Sequence, residues 1–534
     1  MISRRKFIKA GVLAGAGMMA SCATGRRSAG GLPEEDEGGS LRKFVERLTV
    51  PAMSRPSRGE RLEMVMAETR RVLHRDLGQT VVWGYNGSYP GPTIEAQRNQ
   101  PVSVRWLNRL PASHRLYVDR CLHGPKAYGD GRTHPQPRAV VHLHGAHVSP
   151  ASDGYPEATL LPGESAIYHY PNGQNASTLW YHDHALGITR LNVYMGLAGL
   201  YLIRDASEPM LNLPRGPFEV PLLIQDRSFV PDGSLRYPQE WEEEFFGATN
   251  LVNGQVWPYL DVRPRKYRFR IVNGSNARTY TLALDSGQSI HQIGSDGGFL
   301  PEPVEVKEIT LTPAERADVI VDFSKRTGEV HLVNSAPAPF PGSAGEGVVR
   351  EVMQFRVRGS AGDDSALPSR LEALPRLRED AAVKFRQFNL DMVEENPKCT
   401  EPGFRWLING LGWDDITEHP ELGTTEVWSF FNLSPDVHPI HLHLVQFQIL
   451  DRQKMQPDPA RPGFFLPLAL PGTRPTAREP NEAGWKDTFR SMPGELTRII
   501  MRFADFVGKY PYHCHILEHE DHEMMRQFHV VQPR

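Results

Sequence analysis

Cysteine is scarce. Only Cys22, Cys121, Cys399 and Cys514 occur among 534 residues, too few for a fold stapled by a dense disulfide framework. An excess of positive charge is also lacking: 60 Lys and Arg face 63 Asp and Glu, a net charge of -3. That balance gives no general basic surface, so nucleic acid is not an indicated partner. Long apolar runs are missing too. The run from residue 10 to 20 is too short for a comfortable transmembrane helix, and no other segment is apolar enough to span a membrane. Turn residues are plentiful, with 47 Gly and 45 Pro between many short β-branched runs. They favour an all-β, loop-rich architecture over a helical one. The length suffices for about three domains.

The N-terminus reads Ser3-Arg4-Arg5-Lys6-Phe7-Ile8-Lys9 before the short apolar run. It resembles a twin-arginine export signal. That machinery exports proteins already folded, often with a cofactor inside, and delivers them to a periplasmic or other extracytoplasmic compartment. Met19-Ala20-Ser21-Cys22 resembles a bacterial lipobox, with Met where Leu is usual. A lipid anchor at Cys22 and ordinary cleavage nearby both stay open. Residues 23–40 are rich in Gly, Ser, Glu and Asp and read as a flexible leader.

Beyond residues 1–40, three strand-rich blocks are expected. The first, 41–206, holds strand-like stretches at 102–110, 140–144, 165–170 and 197–203. The second, 216–358, holds 220–225, 267–272, 279–284, 304–311 and 317–323. Residues 359–383 read as a linker. The third block, 384–534, holds 426–433, 440–450, 497–503 and 527–531. Short strands at this spacing suggest sandwiches or barrels. Blocks one and three share a pattern. His142-Leu143-His144 and Tyr181-His182-Asp183-His184 in the first match His441-Leu442-His443 and Tyr512-His513-Cys514-His515 in the third. The middle block carries neither. A duplicated β-domain follows, with the outer blocks facing each other across a shared site.

Of 21 histidines, ten sit in four tight motifs. A lone His-x-His is weak evidence. On a strand, however, residues two apart share a face, the geometry a metal cluster needs. The strongest motif is His513-Cys514-His515-Ile516-Leu517-Glu518-His519 with Met524 beyond it. One Cys, a nearby His and a following Met are ligand types of a blue copper site, where His2Cys is trigonal and Met is a weak axial ligand. His438 supplies the second His. His513 and His515 flank Cys514 and project to the face opposite its sulfur. An electron accepted at such a copper leaves through Cys514 to metals held by its neighbours. Cys22 belongs to the signal and Cys514 to the metal, which leaves Cys121 and Cys399. In an oxidising compartment they form a disulfide or stay as two thiols.

These motifs, with Trp180, His438-Pro439-Ile440 and the stretches Leu251-Val252-Asn253-Gly254 and 313–323, resemble the multicopper oxidases of the laccase and bilirubin oxidase type. They are most similar to bacterial spore-coat-like laccases, over nearly the whole chain after the signal. The resemblance implies three cupredoxin-like Greek-key domains and four copper ions. His438, Cys514 and His519 then bind the type 1 copper, with Met524 axial. His142 and His441 bind the type 2 copper. His144, His182, His184, His443, His513 and His515 hold the type 3 pair. It implies an oxidase that takes single electrons from phenols or aromatic amines and reduces O2 to water.

Reducing O2 consumes protons, so carboxylates near the cluster are expected. Asp153 resembles an acid near the cluster in this family, and Glu520 one placed toward the O2 and proton channel. A turn or surface carboxylate is the plain alternative for each. Asp436, two residues before His438, is a candidate for the substrate rim. His147, His522 and His529 match no ligand position. Bilirubin oxidation is disfavoured because some relatives that perform it carry Trp near Asp436. A metallo-oxidase for Cu(I), Mn(II) or Fe(II) is disfavoured because the 15 methionines form no cluster. A non-catalytic structural protein of the same fold lacks copper ligands that are all present here, and a copper nitrite reductase lacks the six type 3 histidines.

Overall fold

The computed structural model describes residues 41–123, 134–360, 362–394 and 403–533. The segment read as an export signal, Cys22 and Cys399 lie outside the described residues. The chain folds as β-sheet, with each expected block supplying a pair of sheets. In the first, a sheet containing Gly91–Gln97, Ala198–Arg204, Ser177–Asp183 and Val141–His144 faces one made of Thr80–Tyr85, Arg61–Arg71, Val102–Arg109 and Ser165–Tyr170. Trp83, Trp106, Leu143 and Tyr181 fill the space between them. Leu222, Phe269, Val319 and Phe355 do the same in the middle block, and Phe388, Trp428, Ile440 and Phe528 in the third. Alternation explains the division: Leu143 and Tyr181 point into the core, while their neighbours His142 and His144, and Trp180 and His182, point out of it.

Two expected strands are each two. The run 440–450 is split into His438–Leu442 and Phe447–Pro457, which belong to different sheets. Leu444, with φ at 67°, turns the corner. Leu442, Leu444, Val445 and Phe447 are all buried, so the apolar pattern continues through the bend and hides it. The run 304–311 likewise divides into Gly298–Val306 and Glu308–Leu311 in opposite sheets. Most of the segment read as linker is irregular. It is nevertheless pinned: Leu371 N–H donates to the Pro301 carbonyl (2.9 Å), and Gln448 Nε2–H to the Pro375 carbonyl (2.8 Å).

Each duplicated His-rich strand runs into a short buried helix, Thr189–Met195 in the first block and Leu517–Asp521 in the third. The Asp521 carboxylate accepts the N–H groups of Thr189 and Arg190, both at 3.0 Å. It thereby satisfies two donors at the first turn of the other helix and ties the outer blocks together behind the histidines.

Elsewhere, a buried ion-pair cluster links stability to pH. Glu482 lies 2.6 Å from Arg452 and 3.4 Å from Arg490. Burial alone raises its carboxyl, but the two guanidinium charges outweigh that and hold it down to about 2. The stability this adds is complete above the ordinary value of 4.5 and is lost as pH falls through about 2. Glu482→Gln is expected to flatten acid unfolding across that window, as followed by circular dichroism.

Candidate metal centre

Strand register assembles the histidines. His142 pairs across the ladder with His182, and His144 with Trp180. In the third block His441 pairs with His513 and Ile440 with Cys514. Directly opposed residues share a face. His441 and His513 therefore project to one side, while Cys514 and, by alternation, His438 project to the other. One strand pair thus serves two separate sites.

On the Cys514 side, Sγ is 3.5 Å from His438 Nδ1 and 3.8 Å from His519 Nδ1, and the two nitrogens are 3.3 Å apart. A trigonal metal with bonds of about 2.0–2.3 Å spaces its ligands about 3.5–3.7 Å apart, so the three atoms fit such an ion. Ser434 Oγ holds the far nitrogen of His438 at 2.8 Å, and Trp406 stacks on His519. Met524 is buried, and its carbonyl accepts the Cys514 N–H (3.0 Å). Burial pushes the Cys514 thiol up, so a thiolate here depends on a bound cation.

On the other side, His184, His443 and His513 bring their Nε2 atoms within 3.2–3.3 Å of one another. His144, His182 and His515 form a second group of converging ligand atoms, and His142 and His441 meet beside His443 in a third. One nitrogen of most of these rings is already committed. Nδ1–H of His142 donates to the Asp153 carbonyl (2.6 Å), that of His182 to the Asp183 carbonyl (2.8 Å), that of His441 to the Asp487 carbonyl (2.8 Å) and that of His513 to the Cys514 carbonyl (3.0 Å). His443 gives Nδ1–H to Asp153 Oδ2 (2.7 Å). His144 is reversed, with Nε2 on Asp487 Oδ1 (3.1 Å) and Thr488 Oγ1 (3.0 Å). Nε2 of His142, His182 and His441 and Nδ1 of His144 are left buried with no hydrogen-bond partner among the described residues. Orphaned inward nitrogens, each oriented by an oxygen behind the ring, are the pattern of metal ligands. Burial holds His182 and His438 down to about 3 and lowers His142, His144, His184, His441, His443, His515 and His519 well below the usual range. Their lone pairs are therefore free.

Both expected acids lie against ligand rings. Asp153 caps the short Pro150–Ser152 turn, so it is a turn residue and a neighbour of His142 and His443 at once. Burial raises its carboxyl well above the usual range. Glu520 is fully buried behind two rings, with Oε1 3.3 Å from His184 Nδ1 and Oε2 3.1 Å from His513 Nδ1. Asp183, at the place of Cys514 in the duplicated motif, accepts N–H groups from Val140, Ala185 and Asn192 at 2.8–3.0 Å. It braces the turn that carries His184. Asp436 is half-buried beside the His438 strand. His147, His522 and His529 join none of the ligand groups. Cys121 is disulfide-bonded, while its expected partner Cys399 lies outside the described residues. Asp487, Thr488 and Arg316 went unnoticed in the sequence because no spacing links them to the histidine motifs.

Fold and site together define a metalloprotein in which a thiolate site is joined by one strand to an imidazole cluster between duplicated β-domains. Models of multicopper oxidase domains match residues 68–138 and 133–208, 242–348, and 387–534. A laccase of Bacillus subtilis (strain 168) is 42% identical, covering 92% of this chain and 99% of its own. A laccase of Haloferax volcanii is 39% identical over 99% of this chain and 91% of its own. Among solved structures, the McoA multicopper oxidase of the hyperthermophile Aquifex aeolicus superposes with a TM-score of 0.74 at 29% identity, covering 92% of this chain and all of that one. The chain belongs to the multicopper oxidase family. Its fold is the three-domain cupredoxin-like one, and it is a copper-dependent oxidoreductase that uses O2.

Proposed function

We propose that the protein is a laccase-like oxidase that takes single electrons from phenols or aromatic amines and passes them to O2. The observation that carries this reading is the unbroken His513-Cys514-His515 segment. Cys514 turns its sulfur to one group of ligand atoms, while its neighbours reach two others. Four copper ions would be held: type 1 by His438, Cys514, His519 and Met524; type 2 by His142 and His441; and the type 3 pair by His144, His182 and His515 and by His184, His443 and His513. Bound copper supplies one-electron chemistry and O2 reduction that no side chain here can perform. The protein's part is to connect, orient and hold protons. Cys514 offers a covalent path through its own peptide units to both flanking imidazoles. Asp153 and Glu520 keep carboxylate oxygens against ligand nitrogens, where protons are consumed.

The remaining proposals rest on sequence. The domains run 41–206, 216–358 and 384–534. Ser3 to Ala20 directs twin-arginine export to a periplasmic or extracytoplasmic site, after which the chain is either anchored by a lipid at Cys22 or released by ordinary cleavage nearby. Asp436, beside the type 1 histidine, lies at the rim where a donor docks.

The test is the visible spectrum and O2 uptake of the copper-loaded mature protein with a phenolic donor. A blue thiolate band with O2 uptake is expected. A colourless protein that consumes no O2 overturns the reading in favour of a structural role.

A further inference from the structure

The middle block contributes no ligand, yet it reaches the cluster through one side chain. Arg316, on the strand Arg316–Asp322, is fully buried and meets Asp487 of the third block in a two-point contact. Nη1 lies 2.5 Å from Oδ1 and Nη2 2.5 Å from Oδ2. Its other donors are also engaged: Nε–H with the Thr178 carbonyl of the first block (2.9 Å), Nη1–H with Ala314 (3.2 Å) and Nη2–H with Asp296 (3.0 Å). The guanidinium is therefore locked to all three blocks. Asp487 in turn touches two ligands that belong to different coppers in the assignment above: His144 through Oδ1 and His441 through its carbonyl. Oδ1 of Asp487 also lies 3.7 Å from His441 Nδ1, so the carboxylate sits behind both rings, at the nitrogens opposite the orphaned ones.

The packing around this contact leaves no slack. Gly145, next to His144, has φ at 87°. A Cβ there sits 2.6 Å from Asp487 Oδ2 and 2.7 Å from Arg316 Nη2. The glycine after the His-x-His motif is thus needed to admit the ion pair.

We propose that Arg316 is a positioning residue for the trinuclear copper site: it occupies both oxygens of Asp487, fixes that residue behind the two rings, and so aims His144 and His441. The inference rests on the copper assignment made above. Partners behind metal-bound histidines are worth about 10–100-fold in metal affinity, and a planar two-point contact is one that Lys cannot reproduce.

The experiment compares wild type, Arg316→Met and Arg316→Lys after copper loading. A chelator titration is followed at two probes, the type 2 electron paramagnetic resonance signal and the blue band. In Arg316→Met the type 2 signal is expected to change shape and to vanish at about 10–100-fold lower chelator, with the blue band unmoved. Arg316→Lys is expected to fall between the two. A type 2 signal with wild-type shape and midpoint in Arg316→Met overturns the assignment, as does a parallel loss of both signals, which marks a purely structural role. If Arg316→Met does not fold, Asp487→Asn carries the same expectation and the same overturning results. A wild type with neither signal sinks the copper reading itself, and this assignment with it.

Discussion

A copper-loaded Cys514→Ser protein is expected to be colourless and to consume O2 only at the background rate of the buffer. The argument is geometric. The thiolate is the anionic sulfur donor beside His438 and His519, and it starts the covalent path to His513 and His515. A serine hydroxyl is neither a comparable copper ligand nor a comparable electron path. Cys514 is completely buried in the main core of the third block, so a hydroxyl there costs about 1–3 kcal/mol of stability as well. The measurement must separate the two effects. Thermal unfolding of the copper-free variant reports the packing cost, while the spectrum and O2 electrode report the lost path. The His clusters are untouched by the substitution, so copper bound there should persist. A variant that stays blue, or keeps reducing O2 at a wild-type rate, refutes the assignment of Cys514.

Glu520→Gln is expected to cut turnover by about 10²–10⁴-fold, the range over which a positioned acid or base acts, while leaving the colour intact. The glutamate side chain is wholly buried, and its two oxygens reach toward His184 Nδ1 and His513 Nδ1, one ligand from each outer block. Neither oxygen has a hydrogen-bond partner among the described residues. A carboxyl in that place can hold and release a proton beside the cluster. Its amide can fill the same space and cannot do so. Electron entry is a separate step and should be spared. Anaerobic bleaching of the blue band by a phenol is therefore expected at the wild-type rate, and KM for the phenol should hold while kcat falls. Unchanged turnover shows that Glu520 is a packing residue, and slowed bleaching shows that its role lies with the type 1 site.

Much of the site was legible because β-structure has a period of two. Two residues apart on a strand means one face, so His142 with His144 and His441 with His443 could be read as neighbours before any fold was known. The same parity separates His438 from His441. The duplicated order of motifs pointed to two equivalent blocks, and Asp183 in the place of Cys514 marked the copy without a thiolate. Strand ends were less legible. The bend at Leu444 is lined by residues as apolar as those of the strands it joins, so no polar punctuation announces it.

By itself, then, the sequence determined the all-β class, the duplication, the ligand types and which histidines share a face, since each follows from local geometry repeated along the chain. The tertiary structure alone decided which nitrogen of each ring turns inward, because that depends on oxygens such as the Asp153 and Asp487 carbonyls brought up from distant loops. It alone decided that Glu520 bridges rings of two blocks, and that Arg316 of a ligand-free block braces Asp487 from 171 residues away in the chain. Contacts of that kind are fixed by how the sheets pack against one another, and no periodicity in the chain records them.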